Sequence, residues 1–135
     1  MWSLLDLFKE PFQINVLDIG AALSERPKYQ PLIDRGSARL IGFEPHPQER
    51  ERLQASYGAP HLFLPYFVGD GRAATYHETN LSLTGSLFEP NIPLLEKFQN
   101  LAEVTTVVAK HAIETRRLDD IAEIDDVDFI KIDVQ

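Results

Sequence analysis

Apolar and polar positions alternate along the chain in blocks that predict strands separated by helices. The run INVLDIG (14–20) is short, rich in β-branched residues and ends in glycine, which is typical of a buried strand. ARLIGFEP (38–45) has the same character. HLFLPYFVGD (61–70) predicts a third strand, although Pro65 in its middle is compatible only with a position at the edge of a sheet. VDFIKID (127–133) predicts a fourth.

Two helices are predicted between these strands. SERPKYQPLIDRG (24–36) starts with a potential cap and ends in Gly36, a residue suited to the position after a helix. Because Pro31 would fall inside that helix, the alternative is a helix that begins near Pro31 and leaves 24–30 as loop. HPQERERLQASYG (46–58) carries proline near its start and glycine at its end, which predicts the second helix.

The remaining segments predict smaller elements. Residues 71–80 and 103–118 alternate and are β-branched, which indicates antiparallel strands or hairpins. Residues 92–100 predict a short helix. Residues 1–13 carry apolar side chains at helical spacing and predict an amphipathic helix packed on the domain surface, with a partner-binding or lid helix as the alternative.

Alternation of strands and helices predicts an α/β fold with a Rossmann-like, doubly wound and mainly parallel sheet. Such sheets are covered on both faces, which explains the nearly continuous apolar strands. Ligands bind at the carboxyl ends of the strands, where the strand order reverses. The candidate site therefore consists of the segments that end each strand: 18–22, 44–46, 69–71 and 133–135.

The acids at the first two strand ends suggest a ribose-containing ligand. Glu44 follows Asp18 by one βαβ unit, so it should lie at the tip of the neighbouring strand. A carboxylate there can accept hydrogen bonds from two ribose hydroxyls. Asp18 could hold loop amides or a ligand ammonium group, and Gly20 lets the backbone approach a ligand closely. A surface acid near a helix N-terminus is the alternative reading of Glu44.

The loop after the first strand argues against a dinucleotide. Binding of pyrophosphate at a helix N-terminus uses a run such as G-x-G-x-x-G, and the loop GAALS (20–24) has one glycine. An NAD(P)-dependent oxidoreductase is therefore the weaker hypothesis. A cofactor with a ribose and no phosphate, such as S-adenosylmethionine, fits better.

Charge and composition exclude several classes of function. The formal net charge of -8 repels phosphate backbones, so no nucleic-acid partner is expected. The chain has no cysteine, which excludes disulfides and thiolate chemistry. No membrane partner, signal peptide or metal site is predicted, and a cytoplasmic location is expected. His46 is the one histidine of interest, because it follows the Glu44 turn.

Five motifs occur in order over about residues 14–135: VLDIGAA, IGFEPHPQERERL, YFVGD, TRRLDDI and VDFIKIDVQ. In order and character they resemble the motifs of the FkbM-type methyltransferases, a branch of the Rossmann-like, S-adenosylmethionine-dependent enzymes. GFEPHP and DFIKIDVQ are the most specific of these. The loop departs from the commoner family pattern, which carries another glycine soon after DIGA.

This resemblance implies S-adenosylmethionine as the cofactor and a site built from the strand ends. The first segment would hold the methionine end, the second would hold the ribose, and the third would flank adenine. These residues are, in that order, Asp18, Gly20 and Ala21; Glu44 and Pro45; and Gly69 and Asp70. For Asp70 a simple turn role in Gly-Asp-Gly is the alternative.

The family also implies methylation of a hydroxyl on a small molecule or sugar. Asp133 and Gln135 would face the transferred methyl group and the acceptor, with Asp133 positioning the hydroxyl or taking its proton. A strand-end cap is the alternative for Asp133. Ser86 is a further candidate on the acceptor side, with an ordinary loop role as the alternative.

Relatives continue beyond DFIKIDVQ, so residues 14–135 are expected to be the N-terminal, cofactor-binding part of a domain truncated after its fourth core strand. The strand at 127–133 would then be an open apolar edge, and a homodimer through that edge is a hypothesis. The alternative function is a non-catalytic module that binds the cofactor or a protein.

Overall fold

The computed structural model describes residues 12–23 and 26–134. These residues form two compact units. The first contains the described residues up to Tyr66 together with Ile121–Asp133, and the second contains Phe67–Asp120 and Val134. The second unit is thus inserted in sequence between the third and fourth strands of the first.

The described chain contains strands, α-helices and short 3₁₀ turns. The strands are β1 (Ile14–Ile19), β2 (Ala38–Phe43), β3 (Leu62–Leu64), β4 (Phe67–Val68), β5 (Ala73–Thr79), β6 (Val107–Arg116) and β7 (Phe129–Ile132). The helices are α1 (Gln30–Asp34), α2 (Pro47–Tyr57), α3 (Ile92–Leu95) and α4 (Leu101–Val104).

The first unit contains a four-stranded sheet in the order β3-β2-β1-β7, and every neighbouring pair is parallel. The chain runs outward from β1 to β3 and returns to the other side of β1 as β7. The strand order therefore reverses between β1 and β7, where α/β folds of this type bind ligands. This topology confirms the Rossmann-like prediction.

The helices α1 and α2 cover one face of this sheet. Leu53 is the one fully buried residue of α2, and it packs into a cluster with residues of β1, β2 and β3. The buried members of that cluster are Val16, Ala21, Tyr29, Ala38, Leu40, Leu53 and Phe63. Alternate residues of β1 and β2 face this cluster, as expected for strands of period two.

Helix α1 begins at Gln30, with Pro31 in its first turn, so the alternative of a helix that begins near Pro31 is confirmed. The helix ends in a Schellman motif. The Gly36 N–H donates to the Ile33 carbonyl at 2.9 Å and the Ser37 N–H donates to the Leu32 carbonyl at 2.8 Å. Gly36 has φ +70°, a conformation that favours glycine. The second predicted helix is also confirmed as α2.

The predicted third strand, 61–70, is interrupted, so that prediction was wrong in its second half. Residues 62–64 form β3 beside β2, whereas 67–68 form β4 in the sheet of the second unit. Pro65 lies at the break. Proline has no N–H to donate to a neighbouring strand, which is the physical reason for the interruption.

The second unit is built on β6, which pairs antiparallel with β5 and parallel with β4. The predicted antiparallel strands are therefore confirmed. The predicted helix at 92–100 is shorter than expected. It ends at Leu95, and α4 follows after Asn100, which has φ +62°.

The predicted N-terminal helix falls almost entirely outside the described residues, and so does Gln135. Among the helices that are described, none is both long and apolar enough to cross a bilayer.

Candidate functional site

Asp18 lies at the carboxyl end of β1 and is only 2 % exposed. The Tyr29 hydroxyl donates to Asp18 Oδ2, and the ammonium group of Lys131 lies 3.0 Å from Oδ1. Burial, and then the hydrogen bond to Asp18, raise the pKa of Tyr29 far above its usual range, so its hydroxyl remains a donor. Protein groups thus occupy both oxygens of a carboxylate that had been a candidate for a ligand ammonium group.

The loop after β1 turns at Gly20, which has φ +86°. That conformation needs glycine, and it lets the backbone continue into Ala21 without a side chain at the turn. Ala21 is 2 % exposed, and its N–H donates to the Phe43 carbonyl at 3.1 Å. Ala21 therefore fixes the loop to the end of β2 and packs in the core.

Glu44 follows β2 and is half-buried. Its Oε1 accepts a hydrogen bond of 2.7 Å from the His46 N–H. Burial raises the pKa of Glu44, and the bond from the His46 N–H acts in the opposite direction. Among the described residues, no hydrogen-bond donor contacts its other oxygen, Oε2. Glu44 thus presents an oriented, partly desolvated acceptor.

Arg50 on α2 holds the turn that carries Glu44. Its Nη1 donates to the backbone carbonyl of Glu44 at 3.2 Å and to that of Pro45 at 3.1 Å. The Glu44 N–H donates to the Leu64 carbonyl at 3.0 Å, which continues the ladder between β2 and β3. The turn is therefore fixed from both sides, whereas the role expected of Pro45 in shaping it stays a prediction.

Lys131 and Asp133 lie at the end of β7, across the reversal point from Asp18. Lys131 pairs with Asp18 in the register of β1 and β7, and its Nζ lies 3.4 Å from the Gly20 carbonyl and 3.6 Å from Asp133 Oδ2. The Asp133 N–H donates to the Ile19 carbonyl at 3.0 Å. Its side chain is 77 % exposed, so Asp133 is the carboxylate open to a ligand at this edge.

Gly69 and Asp70 lie in the second unit, where they line a groove of about 410 Å³ together with Val68 and Leu118. A Cβ at Gly69 would come within 2.7 Å of the Thr115 side chain, so this position has room only for glycine. Asp70 Oδ1 accepts a hydrogen bond of 3.0 Å from the Arg72 N–H. The turn role that was the alternative for Asp70 is therefore present, and the residue also borders this groove, whose lining includes Arg117 and Asp119.

Ser86 is also in the second unit and is mostly buried. Its backbone exchanges two hydrogen bonds with His77, and its Oγ accepts a bond of 3.0 Å from the Phe88 N–H. These contacts are those of a residue that stabilises a loop.

A cleft in the first unit lies away from the strand ends. Its volume is about 660 Å³, and its walls come mainly from α1 and the end of α2. Its lining includes neither Asp18 nor Glu44, so volume alone does not locate the chemistry here. Within the described part of the chain, no group of three or more acids or histidines could hold a metal ion.

A family model, the methyltransferase FkbM domain, matches residues 18–135. The chain belongs to the FkbM methyltransferase family. It has no significant match among curated proteins or among solved structures.

In this FkbM domain, the structure adds three residues to those that the sequence singled out. Tyr29, Arg50 and Lys131 hold Asp18, the Glu44 turn and the Gly20 loop respectively. Lys131 had a sequence signal, since a lysine between Ile130 and Ile132 interrupts an apolar parallel strand. Tyr29 and Arg50 had none, because their roles depend on contacts between separate elements.

Proposed function

We propose that this FkbM domain binds S-adenosylmethionine and transfers its methyl group to a hydroxyl of a small molecule or sugar. The observation that carries the proposal is Glu44. Glu44 follows β2, which lies beside β1 at the point where the sheet order reverses, and the Oε2 of its half-buried carboxylate is available to a ligand. The family match supports the reaction class.

The residues at the strand ends fit the chemistry of this cofactor. Glu44 would accept hydrogen bonds from the ribose hydroxyls, and the Gly20 loop would lie against the methionine end. Asp18 would contribute by holding Lys131 and the loop, since its own oxygens are bound. S-adenosylmethionine supplies a methyl group activated by a positively charged sulfur, a charge that the exposed carboxylate of Asp133 complements. Gly69 and Asp70 are the proposed neighbours of adenine.

Asp133 is the proposed residue on the acceptor side. Methylation of a hydroxyl requires that its oxygen be aligned with the methyl group and that one proton leave. An exposed carboxylate at the strand end can accept a hydrogen bond from the hydroxyl, fix its direction and receive the proton. Gln135 and Ser86 remain proposed contacts of the acceptor.

Calorimetric titration with S-adenosylhomocysteine tests the proposal. We expect the wild-type chain to bind it and Glu44→Ala to bind at least about tenfold more weakly, because hydrogen bonds to a charged acceptor are lost. Glu49→Ala is the matched control, since Glu49 lies in the first turn of α2 and pairs with exposed Arg52.

Absence of binding by the wild type would overturn the proposal, and binding of NAD(P) instead would favour an oxidoreductase. Equal weakening by Glu44→Ala and Glu49→Ala would remove Glu44 from the site. Binding without methyl transfer to any hydroxyl acceptor would favour a non-catalytic module.

The proposal includes a cytoplasmic location and a homodimer formed through β7. Phe129, Ile130 and Ile132 of this strand are about half exposed or more, and Ile132 reaches 67 %. Among the described strands, β7 pairs with β1 alone. Light scattering over a range of protein concentrations should detect a dimer that Ile132→Lys dissociates, and a monomer at high concentration would contradict it.

A further inference from the structure

The ammonium group of Lys131 lies among three oxygens that belong to different parts of the strand-end site. They are Asp18 Oδ1 at 3.0 Å, the Gly20 carbonyl at 3.4 Å and Asp133 Oδ2 at 3.6 Å. An ammonium group has three hydrogens to donate, so one side chain can engage all three oxygens. The first is buried, the second belongs to the loop and the third is exposed.

The position of Lys131 follows from the strand register. Lys131 pairs with Asp18 in the register of β1 and β7, where the sheet order reverses, so its side chain lies next to the end of β1. Its side chain is only 29 % exposed, and its charge is balanced by a carboxylate with 3 % exposure. A buried ion pair of this kind costs desolvation energy, and two apolar residues could replace it without loss of stability. Stability alone therefore gives no reason for a lysine here.

We infer that Lys131 is a positioning residue, which fixes the Gly20 loop and the Asp133 carboxylate in the arrangement that receives the methionine end of the cofactor. The inference rests on the proposed function. Asp18, held in turn by the Tyr29 hydroxyl, anchors the ammonium group from below. Because Lys131 also contacts the Gly20 carbonyl and the exposed Asp133 carboxylate, it holds the loop after β1 and the end of β7 at a fixed distance from each other.

A double-mutant cycle separates this role from that of a simple counter-ion. The variants are Lys131→Met, Asp18→Asn and the double variant, each measured for its free energy of unfolding in urea and for its affinity for S-adenosylhomocysteine. Lys131→Met leaves a buried carboxylate without a counter-ion and should unfold more easily than wild type. The double variant should recover most of the stability, because a neutral amide can still accept the Tyr29 hydroxyl bond.

Ligand affinity should not recover with stability. We expect the double variant to bind S-adenosylhomocysteine about tenfold more weakly than Asp18→Asn alone, since the charged hydrogen bond to the Gly20 carbonyl is still missing. The amide signals of Gly20 and Ala21 in NMR spectra should shift in both variants that lack Lys131. Lys110→Met is the matched control, because Lys110 forms an exposed ion pair with Glu89 in the second unit.

Two outcomes would overturn the inference in distinguishable ways. If the wild type binds and the double variant binds as well as Asp18→Asn, Lys131 is a counter-ion only, and the proposed function stands. If the wild type does not bind S-adenosylhomocysteine, the proposed function fails and the inference fails with it.

Discussion

Two carboxylates on neighbouring strands, Asp18 and Glu44, differ because their surroundings differ. Asp18 is buried and receives hydrogen bonds from Tyr29 and Lys131, whereas Glu44 is half-buried with one oxygen bonded to a backbone N–H. The sequence placed both acids at strand ends. It could not tell that both oxygens of Asp18 are bonded within the protein while Glu44 has one oxygen bonded, because their partners come from the residues just before α1 and α2 and from β7.

The raised pKa of Glu44 makes a prediction about stability. Because the folded chain binds this proton more tightly than the unfolded chain, the free energy of unfolding should fall as pH rises from about 4 through the raised pKa. Glu44→Gln removes that dependence, so its stability should improve relative to wild type across this window. Urea unfolding at a series of pH values measures the difference. Glu51→Gln, at an exposed position of the same helix, is the control, and a parallel trend in both variants would contradict the assignment.

His61 makes a prediction of opposite sign. Its Nδ1 accepts a hydrogen bond of 3.1 Å from the Leu40 N–H, and burial lowers its pKa. The stability that neutral His61 contributes should be present above about pH 6.5 and be lost as pH falls through the lowered pKa. His61→Gln should flatten this fall in thermal unfolding between pH 7.5 and 5. Equal flattening by His46→Gln, at an exposed position, would count against the prediction.

At the scale of elements, proline and glycine determined where the chain changes structure. Pro31 lies in the first turn of α1, near the point where the helix begins, and Pro65 lies where one predicted strand becomes β3 and β4. The sequence marked both positions, since proline lacks an N–H. It could not say that the two halves of 61–70 join different sheets, because strand pairing depends on segments distant in the chain.

Substitution of Gly36 tests whether its left-handed conformation at the end of α1 contributes to stability. A Cβ there would meet no atom within 4 Å, so the cost of Gly36→Ala comes from its φ of +70° alone. We expect Gly36→Ala to lower the free energy of unfolding by about 1–3 kcal/mol. Gly36→Asn should cost less, because asparagine tolerates this conformation. Equal losses for the two variants in urea unfolding would show that another effect dominates.

At the scale of the whole molecule, the sheet of the first unit brings residues from distant parts of the sequence to one edge. Asp18 and Lys131 lie 113 positions apart in the chain and share a hydrogen bond. The second unit carries Gly69, Asp70 and Ser86 on its own three-stranded sheet.

Ligand binding should stabilise this fold as a whole. S-adenosylhomocysteine at about one hundred times its Kd should raise the free energy of unfolding by about 2.7 kcal/mol if it binds only the folded chain. Thermal unfolding with and without the ligand measures the effect, and NAD serves as the comparison ligand. Equal stabilisation by both compounds would contradict specific binding.

The sequence by itself determined the parallel α/β architecture, the strand ends as the place to look, and the family. Apolar runs, glycines at the ends of helices and the spacing of acids are local patterns, so they can be recognised in the sequence without knowing which residues come into contact. Only the tertiary structure decided that Asp18 is buried against Tyr29 and Lys131, that Lys131 lies between the Gly20 loop and Asp133, and that Glu44 has one oxygen bonded to the His46 N–H. Burial and hydrogen bonding arise from contacts between elements far apart in the chain, and no local pattern encodes them.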